Sequence, residues 1–193
     1  MCVFGTRPEA VKLAPVVQVL KSSKVLEPTI VLTAQHREML DQMLSWFSIK
    51  SDHDLDLMRP GQSLAQLTAS VLVEMNKVLL QSKPDLVLVQ GDTATVMATS
   101  LAAFYQKIPV GHVEAGLRTN DRYNPFPEEM ARRQTSRIAT LHFAPTKSAV
   151  DNLTKEGVTE NVFMTGNTVI DALLDTAQRI KNITVDKKLF GCP

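Results

Sequence analysis

Three carboxylates, two placed just past the expected end of a strand and one at the expected start of a helix, are the residues of this 193-residue chain best suited to moving protons. Glu114 follows the run Pro109-Val-Gly-His-Val113 and precedes Ala115 and Gly116, so a strand hands over to a glycine-containing loop at an acid. In open α/β sheets the ligand crevice lies outside the carboxyl ends of the strands, which aims such a side chain at a ligand. The bland alternative is a carboxylate that solvates a turn. Asp92 follows the apolar run 85–90 and Gly91 and precedes Thr93, a position where Asp also serves as a helix cap. Glu128 opens a helix behind Asn124-Pro-Phe-Pro127, where the helix dipole favours an anion. Glu128 with Arg132 and Glu129 with Arg133 also have i,i+4 spacing, so surface ion pairs compete with chemistry there. Three acids in one cleft would titrate together, one keeping its proton near neutrality while another accepts one.

Cations stand opposite them. In Gly5-Thr-Arg-Pro-Glu9 the glycine admits close backbone approach, Arg7 can fork onto a phosphate, and Lys12 adds charge a turn later; local pairing and solvation are the competing roles. Neither G-x-G-x-x-G nor G-x-x-x-x-G-K-[ST] occurs, so no dinucleotide cofactor is implied and none is expected. His53, His112 and His142 form no metal-ligand spacing, and no metal is expected. His36, in Ala34-Gln-His-Arg-Glu38, opens a helix at the crevice edge, where ligand contact competes with core or capping roles.

The elements that must position these groups alternate short β-branched runs with amphipathic stretches, the rhythm of βαβ units. Strands are expected at 2–4, 29–33, 55–58, 85–90, 109–113, 141–143 and 162–164. Helices are expected at 8–21, 37–47, 63–81, 93–105, 128–138 and 147–156. The loops at 5–9, 90–93, 114–119 and 144–147 then converge on one edge of a parallel sheet. The first strand is short and the tail 181–193 polar. Residues 1–166 accordingly read as an amino-terminal Rossmann-like domain, and 167–193 as an interdomain segment opening a second one.

With 44% hydrophobic residues the chain has material for one core, and a net charge of +1 argues against a nucleic-acid or polybasic membrane surface. Two cysteines, Cys2 and Cys192, without a CxxC fit a reducing cytoplasm. No apolar run reaches the ~18 residues of a membrane span.

Read together, Phe4-Gly-Thr-Arg-Pro-Glu-Ala10, Thr33-Ala-Gln-His-Arg-Glu-Met-Leu40, Gln90-Gly-Asp-Thr93, His112-Val-Glu-Ala-Gly-Leu-Arg-Thr119, Pro125-Phe-Pro-Glu-Glu129 and Thr165-Gly-Asn-Thr-Val-Ile-Asp-Ala-Leu173 closely resemble the non-hydrolysing UDP-N-acetylglucosamine 2-epimerase family. Six motifs in the family's order are more specific than any one. The resemblance implies a three-layer Rossmann-like domain with a mainly parallel sheet, one half of a GT-B-like two-domain fold with its active site between the domains. It implies interconversion of UDP-GlcNAc and UDP-ManNAc for cell-surface polysaccharide biosynthesis, through loss of UDP to an enzyme-bound 2-acetamidoglucal and its re-addition. Asp92, Glu114 and Glu128 become the acid/base set, and Arg7, Lys12, Asp92 and Glu114 the substrate contacts. Which acid handles which proton stays open.

The family's second domain, with a catalytic histidine in a Gly-His-Arg-Arg-Glu segment and most nucleotide contacts, does not appear in this sequence, nor does the terminal helix that crosses back onto the first domain. The 193 residues alone are therefore expected not to epimerise, to bind UDP-GlcNAc weakly, and to self-associate through uncovered apolar surface. Full-length relatives form homodimers, and some take substrate as an allosteric activator near Gln35 and His36; the stretch 58–62 departs from the basic form associated with strong activation. A hydrolysing 2-epimerase releasing ManNAc and UDP, a glycosyltransferase of the same architecture, and a noncatalytic nucleotide-sugar binding module are the competing readings.

Overall fold

The computed structural model describes residues 1–33 and 37–180. Seven strands, β1 (Cys2–Phe4), β2 (Ile30–Leu32), β3 (His53–Asp54), β4 (Val87–Gln90), β5 (Val110–Val113), β6 (Leu141–Ala144) and β7 (Val162–Met164), form one sheet in the order β3-β2-β1-β4-β5-β6-β7. Every neighbouring pair is parallel. The helices are α1 (Arg7–Ser22), α2 (Arg37–Trp46), α3 (Leu64–Ser82), α4 (Ala94–Tyr105), α5 (Glu128–Ile138), α6 (Lys147–Lys155) and α7 (Thr168–Ile180).

Alternating side chains send each central strand into two cores, which is why those strands read as continuous apolar runs. Val3, Val31, Val87 and Val89 pack with α3 and α4 through Val71, Met75, Leu79, Ala98 and Ala102. Cys2, Phe4, Ile30, Leu32 and Leu88 face α1 and α2 through Leu13, Ala14, Val17, Leu40 and Leu44. Helix starts follow local chemistry. Thr6 caps α1 in a capping box with Glu9, and Ser63 caps α3 in another with Gln66.

α7 packs on the α1 and α2 side of the sheet. Ala172 is buried in that core, Trp46 Nε1 donates to Thr176 Oγ1 at 3.3 Å, and Arg179 donates to the Trp46 carbonyl at 3.0 Å. Its other face, with Ile170, Leu173 and Leu174, is exposed, as are Phe163 and Met164 on β7.

The expected strand at 55–58 is not formed. β3 lies two residues earlier, and Asp56, with φ 44°, breaks the extended backbone after it. Leu55 and Leu57 still donate to the Leu32 and Thr33 carbonyls, so the edge contact persists without a regular ladder.

Candidate functional site

The strand order reverses direction between β1 and β4, which opens a crevice at the carboxyl ends of those strands. A cavity of about 390 Å³ occupies it, lined among others by Arg7, Lys12, Gln90, Asp92, Glu114 and Glu128. Three of the four loops expected to converge do so, together with the start of α5. The fourth, at 144–147, contributes nothing to the lining, because β6 stands two strands away from β4. Gln35 and His36 lie outside the described residues.

Glu114 is held from three directions. Lys12 Nζ donates to both carboxylate oxygens at 2.8 and 2.6 Å, Gln90 Nε2 donates at 2.6 Å, and Asn167 Nδ2, just before α7, donates at 3.1 Å. Its backbone lies in the left-handed region at φ 66°, followed by Gly116 at φ 89°. A non-glycine residue there costs on the order of 1–3 kcal/mol, and such strain concentrates at functional sites. The turn is pinned below by Arg118, whose nearly fully buried guanidinium forks onto Glu156 at 2.9 and 2.8 Å and also donates to Ser136. Gly116 itself has no room for a side chain: a Cβ would overlap the Ala149 carbonyl.

Asp92 does not cap α4. Thr93 does, its hydroxyl accepting from Val96 N at 3.3 Å, which leaves the Asp92 carboxylate free to face the cavity. There it pairs with Arg132. Burial pushes the Asp92 carboxyl above its ordinary value, Arg132 opposes this, and Glu114 and Glu128 push it up further. An acid that keeps its proton above the ordinary carboxylate range, beside other carboxylates in a cleft, fits proton transfer.

The expected pairing of Glu128 with Arg132 is therefore replaced. Arg132 reaches Asp92, and Glu129 at 3.5 Å, while Glu128 reaches the cavity without an ion pair among the described residues. The second expected pair, Glu129 with Arg133, forms at 2.9 Å. Glu129 is buried and also accepts from Thr119 N at 3.1 Å. Burial raises its carboxyl, but Arg133, Thr119 and Arg132 outweigh that and leave it below its ordinary value.

The three described histidines stay outside the cavity lining. His112 is fully buried in β5 with Nε2 2.7 Å from the Gly91 carbonyl, and burial lowers its pKa to about 4, so it is a neutral donor under the β4 loop. Burial likewise lowers His142, and His53 meets Ser82 Oγ at 3.3 Å. Among the described residues no His, Cys, Asp and Glu cluster is arranged to hold a metal ion. No described helix is long and apolar enough to cross a membrane.

Four contributors escaped the sequence reading: Glu9, Gln90, Arg132 and Asn167. All but Arg132 lie within motifs quoted above, and their roles depend on contacts 24 to 84 residues away in sequence. Arg132 was visible as a helical partner, but for the wrong acid.

Residues 18–190 match the family described as UDP-N-acetylglucosamine 2-epimerase. The UDP-N-acetylglucosamine 2-epimerase of Escherichia coli (strain K12) is 56% identical over 175 residues, covering 90% of this chain and 46% of that protein. The crystal structure of UDP-GlcNAc 2-epimerase from Neisseria meningitidis bound to UDP-GlcNAc superposes with a TM-score of 0.93 at 53% identity, covering 97% of this chain and 51% of that one. A lipopolysaccharide outer core galactosyltransferase, 12% identical with a TM-score of 0.59 over 86% of this chain and 46% of its own, shares the fold alone. The chain spans about half the length of the curated relatives it matches.

Proposed function

Because this chain belongs to the UDP-N-acetylglucosamine 2-epimerase family, we propose that it supplies the acid/base half of an enzyme interconverting UDP-GlcNAc and UDP-ManNAc. The observation that carries this reading is the crevice in which Glu114, Asp92 and Glu128 meet under Lys12 and Arg7.

Epimerisation at C2 needs one group to take a proton from one face and another to return it to the opposite face. In the forward direction Glu128, which has no ion pair among the described residues, accepts the C2 proton. The C2–H electron pair forms the C1–C2 double bond while the C1–O bond to UDP breaks, leaving 2-acetamidoglucal and UDP. Asp92, which holds its proton high, then protonates C2 on the other face as a UDP oxygen bonds to C1. The reverse direction exchanges the two roles. Glu114, tied to Lys12, Gln90 and Asn167, is the third member of the set and fixes the field between them. Arg7 and Lys12 face the sugar nucleotide.

Among the described residues four carboxylates and two cations line this half of the site, a poor cradle for a diphosphate. That balance supports a second domain, opened by 167–193, which carries the nucleotide contacts in a homodimeric whole. The 193 residues alone are then inactive. A cytoplasmic location goes with a nucleotide-sugar substrate.

The test is product analysis of a full-length version in deuterated water. UDP-ManNAc carrying deuterium at C2 is the expected product. Free ManNAc with UDP would replace the proposal with a hydrolysing enzyme, a glycosylated acceptor would replace it with a transferase, and binding without turnover would leave a binding module. UDP-ManNAc formed by the 193 residues alone would refute their inactivity.

A further inference from the structure

Glu9 is 2% exposed and has no ion-pair partner among the described residues. One carboxylate oxygen accepts from Gly5 N at 2.5 Å and Thr6 N at 2.9 Å, closing the capping box of α1. The other leaves its own helix and accepts from Thr93 Oγ1 at 2.7 Å, 84 residues on. Thr93 Oγ1 in turn accepts from Val96 N and caps α4. A single buried carboxylate thus bridges the first turns of α1 and α4, the two elements that flank the crevice between β1 and β4.

Capping alone does not account for a charge here. Gln fills the same place in a capping box without one, and burying a carboxylate without a cation is costly unless hydrogen bonds compensate it. Burial raises the Glu9 carboxyl, and the three donors oppose that. Two helix N-termini aimed at one anion add favourable dipole interactions. Asp92 lies immediately before Thr93, and Arg7 immediately after Thr6, so the bridge joins the segments carrying an acid and a cation of the site.

We infer that Glu9 is a positioning residue, whose link to Thr93 fixes where Asp92 stands relative to Arg7 and Lys12. This rests on the proposed epimerase reaction, in which Asp92 moves a proton. Reacting groups held in place carry much of catalysis, and a displacement near 1 Å can cost on the order of 100-fold in rate.

The experiment uses a full-length version with two readouts: UDP-GlcNAc epimerisation kinetics, and the titration of the Asp92 carboxyl by ¹³C NMR. Thr93→Val, which keeps the shape and removes the hydroxyl, is expected to lower kcat about tenfold or more, with KM within about twofold, because the bridge positions Asp92 for the chemical step. The Asp92 titration midpoint moves with it. Thr93→Ser restores both. On a Glu9→Ala background, Thr93→Val causes a much smaller further loss, since the bridge is already gone. If Thr93→Val leaves kcat within twofold and the Asp92 titration unmoved, if Ser fails to rescue, or if the two losses multiply as independent caps would, the inference is overturned. A wild-type protein that makes no UDP-ManNAc sinks the proposed function instead, and the NMR arm still decides whether the bridge sets Asp92.

Discussion

Replacing Gly116 by Ala should unfold the turn behind Glu114, and the cost can be worked from two glycines in the same chain. Gly116 has φ 89° and Gly157 has φ 79°, so an Ala at either site pays for a left-handed backbone, about 1–2 kcal/mol. At both, the stiffer unfolded chain returns about 0.4–1 kcal/mol. What separates them is space. A Cβ at Gly157 meets nothing within 4 Å, whereas one at Gly116 overlaps the Ala149 carbonyl, with its carbon at 2.8 Å and Leu153 Cγ at 3.0 Å. The obstacle is backbone at the start of α6, which cannot swing aside as a side-chain tip could. Overpacking of this kind adds about 1–3 kcal/mol. Gly157→Ala is thus expected to cost about 0–1.5 kcal/mol and Gly116→Ala about 1–4.5 kcal/mol. Urea unfolding of both variants measures the gap, which at a slope of 1–3 kcal/mol per molar appears as a midpoint shift on the order of 1 M. Equal midpoints for the two would refute the claim that Gly116 is required by contact with α6 rather than by its dihedral angle.

Three further outcomes are expected. His112 gains a proton near 6.5 when unfolded but only near about 4 when folded, so between those values the unfolded state binds more protons. Stability should fall as pH drops through that window, by up to about 1.4 kcal/mol per pH unit, and an unchanged slope in His112→Gln would contradict the assignment. If Asp92 returns the proton to C2 as proposed, it must be protonated to do so, and its raised pKa keeps it so to higher pH; in a full-length version activity should then decline as pH rises. Asp92→Asn should cost 10²-fold or more in kcat, and a variant as active as wild type would exclude Asp92 from proton transfer. The exposed faces of α7 and β7, with Ile170, Leu173, Leu174, Phe163 and Met164, should make the 193-residue chain self-associate, and light scattering that reports a monomer across a concentration series would count against it.

Much of the site was legible because its signals are local. An apolar run ending at an acid places Glu114 and Asp92 at strand ends, and proline followed by paired glutamates marks the start of α5. Partners were not legible. Helical spacing pairs Arg132 with Glu128, but Asp92, brought across the crevice from the end of β4, takes the guanidinium instead. Asp92 looks like a cap, yet Thr93 one residue later has the geometry to accept from Val96 N. The alternation at 55–58 looks like a strand, yet the left-handed Asp56 ends the ladder first.

The division has a physical cause. Periodicity, caps and strand-end glycines act over a few residues, so the sequence alone determined a parallel α/β architecture and which loops could carry chemistry. Strand order is set by long-range packing of two buried faces, and only that order puts the crevice between β1 and β4 and leaves the loop at 144–147 outside it. Only the assembled tertiary structure brings Lys12, Gln90 and Asn167 onto Glu114, and Thr93 onto Glu9. Hydrogen bonds are short-ranged and directional, so these pairings exist only after the backbone has been folded to within an ångström of its final place.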